Sequence, residues 1–527
     1  MRLALLASIT LPLLLTARPG LAQAQEVRPV LAFPESGVDD PAAYQGYTTR
    51  FFRDAKGNVV QIYLDARSGR VVNLFADALD ESVGFTVRDP SGKPVAISWA
   101  SDGAIVSASG RQRTIEYRVR AAASAVDIGL LILNSMRVER DLGYSGRQTA
   151  PYEVPALRLP EEELLIANIE RLPAAERSVQ LQMLNARDPL ELRSRLVPMV
   201  EAIGDGRTTA GMRASQVSLD GKTTLKLEIT VDPNEATTAI APVSFALRSK
   251  SGNPVSFTVR ATADGPTLTP LSRREIFNDA FATFLESERK RAESIRRSGR
   301  LTAADSAVVS RYRQLERDVA GTELLSSREK LMAGLPNYAT YFGRDMMMTA
   351  LMMEPVWQPS MFENAIASAL TKLGPNGDVS HEEALGGQAI RENSAEYNAH
   401  IAEYFRLSQR GDTPAADTAL ANARWLLSNL QRVRENYHMR DDEFQLPILV
   451  DRYLTNPAVP PSRKRAFLLD SSSGRGPRVK LLLDELALVA RLAAPYARQP
   501  VVQNLLGSPR LDSTHWRSVS WRDSDAG

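Results

Sequence analysis

Three groups of residues in this chain carry the types and spacing needed for chemistry on a polyhydroxylated ligand. The first is Tyr341-Phe342-Gly343-Arg344-Asp345, which runs straight into the apolar stretch Met346 to Met353. Two full charges there open an apolar helix. A carboxylate is favoured at a helix N-terminus by the unpaired backbone N–H groups and the dipole. The adjacent arginine costs desolvation energy unless it is paired or solvated. Aromatic faces beside charged groups suit a sugar, whose C–H faces stack and whose hydroxyls hydrogen-bond. The second group is Gly377-Asp378-Val379-Ser380-His381-Glu382-Glu383, after a glycine-rich turn. The third is Ser520-Trp521-Arg522-Asp523-Ser524-Asp525. Aromatic side chains against a carboxylate raise its pKa by desolvation, as a general acid requires.

Each group also has a purely structural reading. Arg344-Asp345 serves equally as a capped core helix with a local ion pair. Ser380 could cap a helix whose first turn holds His381 and Glu382. No second histidine stands at ligand spacing from His381, so no metal is called for there. The methionine run reads as core filling, and Trp516 and Trp521 as the closure of a core.

The elements that must position these residues divide the chain in two. Residues 1–24 have a charged start, an apolar stretch and the small residues Ala22-Gln23-Ala24, the pattern of a secretory signal peptide. Residues 25–270 are rich in β-formers punctuated by Gly, Pro and Asp. Thr224 to Val231 alternates, as a half-buried strand does, and Val59 to Leu64 alternates or clusters β-formers. These predict a large antiparallel β-sandwich, interrupted by helix near 160–185. From residue 271 the pattern becomes helical. Helices are expected over Ile276–Ser298, Ala303–Met332, Arg344–Met353, Ser360–Leu373, Ser394–Gln409, Ala415–Glu435, Asp441–Tyr453 and Arg478–Leu492, packed as successive hairpins.

Composition narrows the function. The 527 residues carry a net charge of +2 with both signs interspersed, which is no nucleic-acid footprint. There is no cysteine, hence no disulfide and no thiolate chemistry. No segment after the leader is long and apolar enough to span a bilayer. The expectation is a periplasmic or secreted protein.

The three groups, in this order, resemble motifs of the six-hairpin glycosidases. Tyr341-Phe342-Gly343-Arg344-Asp345 is similar to the Phe-Gly-Arg-Asp motif of bacterial glycogen-debranching (amylo-α-1,6-glucosidase-like) enzymes and to the Trp-x-Arg-Asp of glucoamylases. Gly377 to Glu382 resembles their Gly-x-Ile-Pro-His-Glu segment, with Ser380 in place of proline. Ser520-Trp521-Arg522-Asp523-Ser524 resembles the Thr-Trp-Met-Asp-Ala of debranching enzymes and the Gly-x-Asp-x-Ser of related glucosidases and trehalases. The likeness covers about residues 271–527.

The resemblance implies a partial (α/α)6 toroid after the β-sandwich. It implies inverting hydrolysis of α-glucosidic or related oligosaccharide linkages. Asp523 would be the general acid. Tyr341, Phe342, Arg344, Asp345, His381, Glu382, Trp521 and Arg522 would bind the substrate. In these families the general base follows the acid by several hairpins, whereas this sequence stops four residues after Asp523, at Gly527. The expectation is therefore a fragment that lacks its base, is inactive as it stands and exposes an apolar edge. Glu382, Glu383 and Glu392 are possible carboxylates, but the resemblance does not make any of them the base. No cofactor is implied; a structural calcium occurs in some relatives. Two other readings remain open: a non-catalytic carbohydrate-binding periplasmic protein with a helical scaffold, and a phosphorylase of the same clan.

Overall fold

The computed structural model describes residues 24–132, 160–241, 244–299, 302–335, 338–430, 433–437, 439 and 441–494. The leader-like segment 1–23 and the Trp521-Arg522-Asp523 group lie outside the described residues.

Two antiparallel sheets of eight strands each form the N-terminal half. One runs, from edge to edge, Gln25–Val27, Ala104–Ser109, Gln112–Ala121, Ser256–Asp264, Thr224–Val231, Ala210–Val217 and Met199–Ile203, with Ile97–Trp99 also paired to Gln112–Ala121. The other runs Ala236–Ala241, Ser244–Ser249, Ala125–Ile132, Glu81–Arg88, Arg70–Ala76, Val59–Asp65, Tyr47–Arg53 and Leu31–Phe33. Their facing sides share one core. Phe52, Ile62, Phe75 and Phe85 from one sheet meet Ile115, Leu227, Ile229 and Phe257 from the other. Phe85 and Phe257 meet edge to face, with ring centroids 5.9 Å apart.

The two kinds of strand pattern have different causes. Gln112–Ala121 alternates buried and accessible residues because its outer face meets solvent. Val59–Asp65 is buried at every position. Its second face, with Phe51, Val72 and Leu74 of neighbouring strands, is covered by Leu268, Leu324, Met332 and Ala339 of the helical half. The cluster of β-formers records that double burial.

Thirteen α-helices occur among the described residues. Three of them, Pro160–Arg171, Ala174–Met183 and Pro189–Ser194, interrupt the strands. They pack against the helical half: Leu165, Ile166 and Ile169 share a core with Ile390, Tyr397, Ile401, Leu426 and Leu427. Asn168 bonds Asn398 at 3.0 Å, and the Tyr397 hydroxyl donates to Gln180 at 2.6 Å. In the helical half, Asp279–Arg297 pairs with Ala303–Leu325, Gly343–Met353 with Pro359–Thr371, and Gly386–Gln409 with Thr413–Ser428. Asn278 caps the first of these through Phe281 N, and Thr302 with Asp305 forms a capping box on its partner.

Three expected helices end or begin elsewhere. The helix from Ala303 stops at Leu325, and Met332–Gly334 is a strand. The helix expected over Ala415–Glu435 stops at Ser428, and Val433–Asn436 is a strand paired with Glu382–Leu385. The helix expected from Ser394 begins eight residues earlier, at Gly386. His381-Glu382 is therefore not the first turn of a helix capped by Ser380. Met332–Gly334 pairs with the next strand, Tyr338–Tyr341, and Val433–Asn436 with a distant one, so in both cases pairing overrides local helix propensity.

On helix Arg478–Ala493, Glu485 is fully buried with neither carboxylate oxygen hydrogen-bonded. Burial pushes its carboxyl up to about 8. The unfolded chain ionises this group in the ordinary carboxylate range. The contribution of Glu485 is therefore fully present below that range and is lost as pH rises toward 8, by up to about 1.4 kcal/mol per pH unit. Chemical denaturation as a function of pH should show that slope flattened in Glu485→Gln relative to the parent protein. An identical slope in both would remove Glu485 from the pH dependence.

Candidate carbohydrate site

The site is built around the turn between strand Tyr338–Tyr341 and helix Gly343–Met353. Tyr338–Tyr341 pairs with Met332–Gly334, and Phe342 bridges to Glu382. Gly343 N donates to the His381 carbonyl at 2.7 Å, and His381 N donates to the Asn436 carbonyl at 2.9 Å. Two of the three sequence-predicted groups thus come together, through backbone pairing that also brings in Val433–Asn436.

Gly343 is required by close approach. A Cβ there would collide with the Ser380 carbonyl oxygen and stand 2.8 Å from Asp442 Oδ1 and 2.9 Å from the Tyr341 hydroxyl. That crowding holds the helix start against the strand after Ser380. Met346 and Met347 enter the core beyond it, whereas Met348 and Met352 are exposed.

Below this turn lies a buried charge cluster. Glu383 has no water access, and Lys330 and Lys372 both reach it: Lys330 Nζ at 2.8 Å on Oε1, and Lys372 Nζ on Oε2. Tyr341 N and the Thr340 hydroxyl also donate to Oε1, at 3.1 and 3.2 Å. Burial alone would raise the Glu383 carboxyl. The two lysines overcome it and hold the group at about 2. Asp80, from the loop before strand Glu81–Arg88, adds a buried carboxyl whose oxygens have no hydrogen-bond partner. Burial pushes it well above its ordinary value, against the pull of Lys330.

Beside the turn stands a second pair. His381 Nδ1 is 2.8 Å from Asp442 Oδ2, and both side chains are fully buried. Burial raises the Asp442 carboxyl, and its bond to His381 offsets part of the rise. Asp441 and Asp442 sit in the first turn of helix Asp441–Thr455, where the dipole favours them. Asp441 turns outward and pairs with Arg344 at 3.3 Å, with 33% and 17% of the two side chains exposed.

The predicted residues consequently take different places. Tyr341 and His381 have no exposed surface and Phe342 almost none, so in this structure they frame the site without lining it. Arg344 and Glu382 are partly exposed and Asp345 is exposed. Asn436 Nδ2 donates to Glu382 Oε1 at 2.9 Å. Tyr338, 47% exposed, packs edge-on against Phe342 at 5.7 Å. The accessible chemistry is a set of charged and amide groups beside an aromatic ring. Glu383 is consumed by its lysines, and Glu392 bonds Gln388 at 3.0 Å and faces Arg434. Sequence reasoning missed Asp441, Asp442, Asn436, Lys330 and Lys372. The acidic run Asp441-Asp442-Glu443 at a helix start was the one local signal for any of them. Among the described residues no group of three or more His, Cys, Asp or Glu could hold a metal.

No protein-family model matches the chain, and no curated protein matches it. Among solved structures, one assigned as a kojibiose phosphorylase from human microbiome aligns at TM-score 0.21 and 9% identity. The alignment covers 81% of this chain and 55% of that one, so this chain spans little more than half of its length. A likeness at that score carries no argument about fold or chemistry.

Gly343→Ala should destabilise the protein by about 1–3 kcal/mol, because the added methyl has only backbone and buried polar atoms to displace. Urea denaturation measures this, and an unchanged midpoint would show that the turn has room to spare.

Proposed function

We propose that this chain is a carbohydrate-active protein that binds an oligosaccharide at the mouth of helix Gly343–Met353. The observation that carries the reading is the meeting of Arg344-Asp345, Glu382-Asn436 and Asp441 around one turn, with Tyr338 beside them. Arg344 is oriented by Asp441 and Glu382 by Asn436, so both present fixed donors and acceptors. Pre-set polar groups with an adjacent aromatic face are what a sugar ring requires, and pre-orientation lowers the entropy cost of binding.

The finer reading is glycoside hydrolysis in an (α/α)6 toroid to which these hairpins belong. Asp523 would protonate the departing glycosidic oxygen, with Trp521 and Arg522 beside it. A second carboxylate would activate water on the opposite face of the sugar, roughly 6.5–9.5 Å away, as inversion requires. Arg344 and Asp345 would convert binding energy into positioning. The support is the motif order together with the juxtaposition of the first two motifs. Export to the periplasm or beyond belongs to the same proposal and rests on the leader-like start. No helix among the described residues is long and apolar enough to cross a membrane.

One observation favours the second reading, a binding protein without catalysis. Three carboxylates near the turn, Glu383, Asp442 and Glu443, are buried, and Asp441 is paired with Arg344. Calorimetric titration with malto-oligosaccharides and an assay of their hydrolysis separate the two. Asp345→Ala should weaken sugar binding at least about tenfold, or ~1.4 kcal/mol. Asp523→Asn should abolish turnover with binding retained. Unchanged affinity in the first variant would refute the proposed mouth, and retained turnover in the second would remove Asp523 from the acid role.

A further inference from the structure

A cavity of about 40 Å³ lies where the sandwich, the inserted helices and the helical half meet. Glu81 comes from the sandwich, Gln216 from strand Ala210–Val217, Glu162 from helix Pro160–Arg171, and Gly387 and Ile390 from helix Gly386–Gln409. Glu162 is 4% and Gln216 9% exposed, and Glu162 Oε2 and Gln216 Oε1 have no hydrogen-bond partner. The Gln216 amide nitrogen is already engaged, donating to the Arg195 carbonyl at 3.3 Å, so its oxygen is the group left over.

The wall offers acceptors with few donors to meet them. Arg195 also lines the cavity, but its guanidinium is spent on the carbonyls of Leu184, Leu219 and Asn185 and on Glu191. Arg391 lies close enough to offset part of the Glu162 charge. Against it stand Glu161, Glu162 and Glu163 in one first turn, which outweigh the roughly half charge of the helix dipole. The approach of Glu81 is built into the backbone. A Cβ at Gly386, where φ is +52°, would collide with the Leu79 carbonyl oxygen and stand 2.9 Å from Glu81 Oε1.

We propose that this cavity binds a hard divalent cation of the calcium type, held by Glu162, Gln216 and Glu81 and completed by water. All three donors are oxygens, the set that calcium takes and that softer metals do not prefer. The volume exceeds the roughly 10–15 Å³ one water needs, which leaves space for an ion and part of its hydration shell. The amide oxygen of Gln216 takes the place of a third carboxylate. A cation there ties the inserted helices to both halves of the molecule. The inference is independent of the carbohydrate reading.

The test uses the full chain, stripped with a chelator and titrated calorimetrically with Ca²⁺ or Mg²⁺, with thermal unfolding followed in parallel. Ca²⁺ should bind and raise the unfolding temperature, with Mg²⁺ weaker in both. Glu162→Gln should lower Ca²⁺ affinity at least about tenfold, and Gln216→Leu should lower it as well. Circular dichroism confirms that each variant is folded; if one is not, the other carries the comparison. No Ca²⁺ binding by the parent protein, or equal binding by a folded Glu162→Gln, would overturn the proposal and leave the cavity to water alone.

Discussion

The site depends on a carboxylate that should not be stable where it is. Glu383 is removed from water, and an isolated ion in that position would cost several kcal/mol or take up a proton. It stays ionised because Lys330 and Lys372 reach it from different parts of the chain. Lys330 follows the long helix Ala303–Leu325, and Lys372 ends the helix Pro359–Thr371. Glu383 itself sits in the strand that carries Glu382, next to His381. Its Oε1 also receives the backbone N–H of Tyr341, two residues before Gly343. One buried group therefore fixes the relative positions of the strand, the turn and two helices. Such a cluster need not add net stability over an apolar core, but removing one partner leaves uncompensated charge.

That arrangement explains which charged groups face outward. Glu383, His381 and Asp442 are used internally, and the neighbours left toward solvent are Arg344, Asp345, Glu382 and Asp441. The outward groups inherit fixed directions from the inward ones. Arg344 is held by Asp441, whose neighbour Asp442 is held by His381. A surface made this way is set before any ligand arrives, which favours orientation over adaptability.

Much of the architecture was legible in the sequence because burial leaves a periodic trace. Thr224–Val231 alternates and forms a strand; Val59–Leu64 clusters β-formers and proves to be buried on both faces. Arg344-Asp345 stood out because charges at the mouth of an apolar helix are conspicuous. What escaped was whatever depends on partners far along the chain. Val433–Asn436 continued a helical pattern and became a strand only because Glu382–Leu385 lies opposite. Asp441 and Asp442 open an expected helix, yet their partners Arg344 and His381 are 97 and 61 residues away. Nothing in the local sequence marks Lys330 or Lys372, because burial of a charge leaves no periodic signal.

The claim that the site frame rests on the Glu383 cluster is tested most directly by a double-mutant cycle on unfolding free energy. Lys330→Met and Glu383→Leu are made singly and together, and each is followed by urea denaturation. Each single change should cost about 3–5 kcal/mol, and the double clearly less than their sum, since it removes the stranded charge along with its partner. Additive costs would contradict the account and reduce the cluster to independent contacts.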